Sequence, residues 1–360
     1  MTGVQTCALP ISQRKYNRVY VDGCFDLVHF GHFNFLRQAS ELGKELYAGV
    51  HSDEEILYNK GPCVFTLKER MEIVKACKWV TKAIPDVPFS CTMDVLNELN
   101  CDVCVHGDDL VITGDGYDCY GEMKKNNRFA TVPRTKAIST TNIIGRMLRL
   151  PKEELPEGFD KSELVDFAGN SSSLHTYIPT THRIAQFSNI KEPNYGDKII
   201  YVDGTFDLLH PGHVSFLRKA KEMGDYLVVG IHDDKTMENL MCPSMPILTL
   251  QERVLNVLAM KYVDDVIIGA PYVITKELIE QVNPTYVVEG SSPSRLNGED
   301  AFRVPKQLGI FKEIQSDYPD FTAKDVIHRV LKNYQMYAAR NKKKEQASTE
   351  VHPEDRKSVV

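Results

Sequence analysis

His29-Phe-Gly-His32 and His210-Pro-Gly-His213 repeat one pattern: a histidine, any residue, a glycine and a second histidine. Two imidazoles at that spacing can donate hydrogen bonds to phosphate oxygens, and neither needs to be a nucleophile. The glycine is expected to let the backbone approach a phosphate closely. Each pattern falls between a first apolar strand and a first helix. An open parallel sheet places its ligand there, beside strand carboxyl ends and a helix N-terminus. One such pattern could cap a helix by accident. The same pattern twice at one fold position points to a phosphate site.

The elements that must hold these residues are themselves repeated. Tyr20–Glu54 and Tyr201–Lys235 lie 181 residues apart, and 20 of their 35 paired positions are identical. After a two-residue insertion the offset is 183, pairing Glu69-Arg70 with Glu252-Arg253, Val80 with Val263, Gly107 with Gly290 and Arg146 with Arg329. A period this long is a domain duplication, not a solenoid. Strands are expected at Arg18–Val21, Leu46–Val50, Ala83–Pro85 and Val103–His106, and a helix over Gly31–Leu42. Thr66–Glu69 and Thr249–Glu252 match capping boxes that open helices. Strands alternating with helices imply an α/β fold, two tandem Rossmann-like domains, each a parallel sheet flanked by helices. The expected domains are residues 12–150 and 198–340. Pro151–Asp197 reads as a surface linker and Ala338–Glu345 as a solvated helix end.

Composition narrows the classes. Hydrophobic residues at 42% and charged residues at 26% fit a globular chain with sizeable cores. A net charge of −6 supplies no whole-protein field for nucleic acid. No run of 18 apolar residues suggests a membrane-spanning segment. Residues 1–11 and 355–360 read as translated adapter sequence and are set aside. The scattered cysteines fit free thiols in a reducing, cytoplasmic setting. Cys101 and Cys104, followed by His106, lack the ligands that a zinc site needs, so no metal site is expected.

Three motifs stand in order in the first copy: His29-Phe-Gly-His32, Lys60-Gly61 after the second strand, and Arg134-Thr-Lys-Ala-Ile-Ser-Thr140. Together they resemble the cytidylyltransferase family of the nucleotidyltransferase superfamily, with Ala137 in place of the family's usual glycine. The duplication is similar to family members that act on phosphoethanolamine. The resemblance implies transfer of CMP from CTP, carried with Mg²⁺, to phosphoethanolamine. Phosphocholine or glycerol 3-phosphate as acceptor, and a non-catalytic cytidine-nucleotide sensor, stay open as alternatives. So do a homodimer and a loose association with the endoplasmic reticulum surface. A class I aminoacyl-tRNA synthetase would need a later KMSKS-like loop, and a dehydrogenase would need GxGxxG after the first strand; neither is present.

The resemblance also implies roles. His29, His32, Lys60 and Arg134 would be catalytic. Cys24, Phe25, Gly31, His106, Asp108, Thr135, Ser139 and Thr140 would bind nucleotide, the last two through hydroxyl and backbone donors. Asp22, Phe89 and Tyr120 would hold the acceptor's ammonium. Thr205, Phe206, His210 and His213 would line a second nucleotide pocket. At the repeat offsets Lys60 meets Met241, His106 meets Glu289 and Arg134 meets Asp317. Loss of positive charge opposes polyphosphate binding, so the second copy is expected to turn over poorly or not at all.

Overall fold

The computed structural model describes residues 14–109, 111–135, 138–150, 180–188, 191–240, 245–290, 295–296 and 299–349. The first copy runs β1 (Tyr16–Gly23), α1 (Phe30–Leu42), β2 (Gly43–His51), α2 (Asp53–Lys60), α3 (Leu67–Ala76), β3 (Lys82–Val87), α4 (Met93–Glu98), β4 (Val103–Gly107), α5 (Gly121–Lys125), β5 (Phe129–Val132) and α6 (Thr140–Met147). Helix α7 (Thr180–Phe187) precedes the second copy. That copy runs β6 (Ile199–Gly204), α8 (Pro211–Lys221), β7 (Tyr226–Ile231), α9 (Asp234–Leu240), α10 (Leu250–Leu258), β8 (Asp265–Ile268), α11 (Lys276–Val282) and β9 (Tyr286–Glu289). It ends with β10 (Arg295–Leu296), β11 (Glu299–Asp300), α12 (Arg303–Gln307), β12 (Phe311–Glu313) and α13 (Ala323–Lys332), and α14 (Tyr334–Thr349) closes the chain.

Each copy builds a five-stranded parallel sheet, ordered β3-β2-β1-β4-β5 in the first and β12-β9-β6-β7-β8 in the second. Val19, Tyr20 and Val21 of β1 are all buried because helices cover both faces, so consecutive residues meet apolar neighbours. Both expected capping boxes form, Thr66 with Glu69 and Thr249 with Glu252. From β1 the chain turns first to β2 on one side and later to β4 on the other. The strand order therefore reverses between β1 and β4, and their carboxyl ends open the crevice that takes ligands in such sheets.

The two copies pack about a local two-fold axis. Arg146 of α6 donates to both carboxylate oxygens of Glu252, at 2.6 and 2.8 Å, and to the Ile247 carbonyl at 3.1 Å. Arg329 of α13, its repeat partner, donates to Glu69 at 2.7 and 2.9 Å and to the Val64 carbonyl at 3.1 Å. Lys78 N–H donates to the Ala259 carbonyl and Lys261 N–H to the Ala76 carbonyl, both at 2.9 Å. Cys77 and Met260 form an antiparallel bridge between them. Every pair is related by the offset of 183, so residue and partner exchange roles as in an isologous dimer.

The described end of the linker, expected to be ordered in parts over the surface, is ordered as helix α7 and packs on the first copy. Helix α7 buries Phe187 completely, its ring edge-on to Trp79 at 4.9 Å, and Arg183 donates to Asn34 of α1. Within Ala338–Glu345, Lys342 is exposed as expected for a solvated helix end, while Asn341 is buried. Tyr334, Tyr337 and Asn341 of α14 are buried, and α14 packs on α6. Ala137, Met241 and residues 1–11, 151–179 and 355–360 lie outside the described residues. Among the described residues, no helix is long and apolar enough to cross a membrane.

Candidate active site

The loop from β1 into α1 carries the first histidine pair in a strained backbone. Phe25 and Leu27 have φ of 47° and 44°, and Phe206 and Leu208 repeat them at 51° and 46°. Left-handed conformations cost bulky side chains roughly 1–2 kcal/mol each, and such strain clusters at functional sites. Arg70 holds the loop from below. It is fully buried and donates to the carbonyls of Phe65, Cys24 and His51, with Asp53 as its ion-pair partner at 2.6 Å. Arg253 makes the same four contacts in the second copy, with Leu248, Thr205, His232 and Asp234. The repeat comparison contained both arginines, yet nothing in their spacing assigned them this work.

His29 is the N-cap of α1, and the two imidazole rings lie 4.0 Å apart. His29 Nδ1 accepts from the Gly31 N–H at 3.1 Å, and His32 Nδ1 accepts from the His29 N–H at 3.4 Å. A neutral imidazole that accepts at Nδ1 carries its proton on Nε2. Burial drives His29 well below the usual histidine range and His32 down to about 4, each helped by neighbouring positive charge. At neutral pH the pair is thus two uncharged Nε2–H donors with fixed orientation. Gly31 serves a purpose other than the one expected. A Cβ there would come within 2.8 Å of the His29 ring and 3.1 Å of Ile138, so the missing side chain makes room for the imidazole.

The three motifs converge. Lys60 ends α2, with its Nζ 3.5 Å from Cys24 Sγ and 5.1 Å from the centre of the Phe89 ring. The His106 ring lies 4.8 Å from that of Tyr120. Asp108 accepts from the Arg134 N–H at 3.0 Å, and Arg134 pairs with Asp109 at 2.9 Å. Thr135 accepts from Asn34 of α1 at 2.8 Å. The hydroxyls of the third motif are not free as expected. Ser139 Oγ caps α6, accepting from Asn142 N–H and bonding Asn142 Oδ1, while Thr140 Oγ1 donates to the Asp26 carbonyl at 3.3 Å. Backbone N–H groups at the start of α6 are what this segment offers an anion.

Asp22 lies at the end of β1, 2% exposed. Tyr120 Oη donates to its Oδ1 at 2.6 Å, and its buried Oδ2 has no partner. Burial raises its carboxyl to about 6, against the pull of Tyr120 and Lys60. Phe89, 5.0 Å from the His51 ring, and Tyr120, stacked 5.1 Å from Phe129, are buried around it. A carboxylate with one oxygen unpartnered and aromatic rings nearby suits a small organic cation. Asp22 also groups with the thiols of Cys91 and Cys104. That set is soft and unlike an oxygen cage for Mg²⁺.

The second copy keeps the shape and loses the donors. The rings of His210 and His213 lie 3.7 Å apart, but neither Nδ1 has a hydrogen-bond partner. Phe321 stands at the repeat position of Ile138, with its ring 5.1 Å from His210. Asp203, the counterpart of Asp22, is raised to about 8 by burial and by Glu289. Phe302, 5.4 Å from Phe311, occupies the place of Tyr120 and brings no hydroxyl. Thr205 Oγ1 contacts Met237 and Phe206 faces His213 at 5.3 Å.

One repeat pairing needs correction. Phe129 lies opposite Cys104 and Phe311 opposite Val287, so the last strands are offset by 182, not 183. Ser316 then takes the place of Arg134, and Asp317 that of Thr135. Ser215 donates to Asp317 just as Asn34 donates to Thr135. Asp317 is moreover paired with Arg218 and Lys219, both at 2.6 Å, so it brings little uncompensated negative charge.

Known proteins match this arrangement over most of the chain. The cytidylyltransferase-like family matches residues 20–146 and again 201–336. The ethanolamine-phosphate cytidylyltransferase of Dictyostelium discoideum is 44% identical over 346 residues, 93% of this chain and 96% of the relative. That of Mus musculus is 40% identical over 361 residues, 91% and 89% of the two chains. The choline-phosphate cytidylyltransferase of Saccharomyces cerevisiae is 36% identical but spans only 39% of this chain. With both copies matched, and relatives aligned across the full tandem length, this chain belongs to the cytidylyltransferase family.

Proposed function

We infer that the first copy transfers CMP from CTP to phosphoethanolamine, giving CDP-ethanolamine and pyrophosphate for phosphatidylethanolamine synthesis. The observation that carries this reading is the tethered, uncharged histidine pair in the loop that follows Asp22, whose buried carboxyl keeps one oxygen without a partner. The names of the relatives that share the tandem length support the same acceptor.

An oxygen of the acceptor phosphate attacks the α-phosphorus in line. The bond to the β-phosphate oxygen breaks and pyrophosphate leaves, with no covalent enzyme intermediate. Catalysis is then positioning and charge stabilisation. The Nε2–H groups of His29 and His32 donate to triphosphate oxygens as charge builds on the leaving group. Lys60, beside Phe89 and Cys24, bridges the acceptor and nucleotide phosphates. Arg134 exchanges Asp109 for a phosphate. His106, Asp108, Thr135 and the start of α6 frame the nucleotide, with Cys24, Phe25 and Gly31 lining the loop. Asp22 takes the ammonium, with Phe89 and Tyr120 beside it. Mg²⁺ supplies charge neutralisation on the polyphosphate. It would enter with CTP, and no side chain is assigned to hold it, since Asp26 and Asp108 already accept backbone N–H groups. The second copy turns over poorly, and its pocket, with Thr205, Phe206, His210 and His213, binds nucleotide weakly. The seven free cysteines among the described residues support a reducing, cytoplasmic setting.

The test is pyrophosphate release from CTP and Mg²⁺, with phosphoethanolamine, phosphocholine and glycerol 3-phosphate offered separately. Release with phosphoethanolamine alone is expected. Release with either of the others at the same rate would overturn the acceptor assignment.

A further inference from the structure

Helix α14 follows the second copy and has no part in its sheet. Among its described side chains the buried ones are Tyr334, Tyr337 and Asn341, spaced as one helical face. That face reaches back to the first active site. Tyr337 Oη donates to the Pro62 carbonyl at 3.0 Å, and Asn341 Nδ2 donates to the Thr141 carbonyl at 3.1 Å. Pro62 lies two residues beyond Lys60, and Thr141 is the second residue of α6. Asp26 joins the same two segments from inside. Its carboxylate accepts from Val64 and Phe65 N–H at 2.8 and 2.9 Å, and its carbonyl accepts from Thr140. The Arg340 charge is near enough to Asp26 to favour that carboxylate. Three chain segments that face phosphate therefore share one clasp, and α14 closes its outer side.

We propose that Tyr337 and Asn341 are positioning residues for the first active site, fixing through main-chain carbonyls the Lys60 loop and the α6 N-terminus so that their phosphate donors converge. The kinetic part of this proposal rests on the CTP reading above. Neither side chain is assigned contact with a substrate. Both act through the backbone that carries those that are.

The test uses the full chain with Tyr337→Phe, Asn341→Ala and the double variant. Tyr337→Phe keeps the ring and removes only the donor. Tyr226→Phe is the control, because Tyr226 Oη of the second copy makes the same kind of bond at 2.9 Å, to the Lys191 carbonyl of the linker. Loss of one such bond should raise the KM for CTP about 3- to 10-fold; Tyr337→Phe, acting through the Lys60 loop, should raise the acceptor KM as well, whereas Asn341→Ala, acting through α6, should leave it within about twofold. Hydrogen exchange of the ligand-free protein provides a readout independent of turnover. Amides of residues 63–65 and 142–144 should exchange several-fold faster in the two variants and not in the control. Unchanged CTP KM and unchanged exchange would overturn the proposal, as would equal effects in the Tyr226→Phe control. A wild-type chain inactive with CTP but showing the exchange changes would sink the assigned reaction and leave the clasp standing.

Discussion

The two histidine pairs share their spacing, their strained loop and their ring contact, yet they stand in different chemistry. In the first copy each Nδ1 accepts a backbone N–H, so both donors face outward with the tautomer fixed. In the second copy both Nδ1 atoms are buried without a partner. The carboxylates differ in the same direction. Asp22, near 6, is ionised at pH 7, whereas Asp203, near 8, is protonated. A duplicated fold can thus keep its backbone, its capping boxes and its buried arginine while the groups that meet substrate drift. The shared frame still has work to do in the second copy, because Glu252 and Ile247 hold the Arg146 end of α6, whose other end forms part of the first site.

The largest effect that could break this comparison lies at the interface. Arg146 and Glu252 have side chains only 6% and 3% exposed, whereas Arg329 and Glu69 are 35% and 11% exposed. Glu252→Ala should cost about 3–5 kcal/mol because it takes the carboxylate of a buried ion pair away from the Arg146 guanidinium. Glu69→Ala should cost well under half of that, since water reaches Arg329. Equal losses in denaturant melts would mean that the two halves of the axis are energetically alike.

A smaller effect sharpens the contrast between the carboxylates. Asp22→Asn should raise the KM for phosphoethanolamine about 10- to 100-fold through loss of a charge-assisted contact. Asp203→Asn should leave that KM within about twofold. The pH profile follows with its sign. Below about pH 6 Asp22 takes up its proton, so kcat/KM for the acceptor should fall up to tenfold per unit. The Asp22→Asn variant should lose that slope, and a slope that persists would place the titrating group elsewhere.

A last effect, seen only on the acid side, concerns stability. His32 and His213 are depressed to about 4 and about 3, so the unfolded chain binds protons first as pH falls below 6.5. Each should therefore withdraw stability between pH 6.5 and its folded value. His213→Asn and His32→Asn should each flatten the acid side of a Tm-versus-pH curve. No flattening in either would contradict their burial as neutral rings.

Much of this was legible before any coordinates. The repeated motifs located both crevices because period-two and period-3.6 patterns fix where strands end and helices begin. What stayed hidden depends on contacts between distant residues. A fixed offset could not see that one residue is missing before β12, so it matched Arg134 with Asp317 instead of Ser316. Motif resemblance made Ser139 and Thr140 donors, although capping and the Asp26 carbonyl already occupy their hydroxyls. The spacing shows the glycine between the histidines but not that a Cβ there would meet the His29 imidazole. The polar end of the chain concealed the buried stripe of α14, because three residues in a helix face carry little compositional weight.

The central claim is that turnover belongs to the first histidine pair. Its most direct test is pyrophosphate release by the full chain carrying His32→Ala or His213→Ala, with CTP and phosphoethanolamine saturating. Loss of a preorganised donor predicts a fall of about 10²–10³ in kcat for His32→Ala, and a change within about threefold for His213→Ala. Comparable falls in both, with both variants folded, would contradict the account.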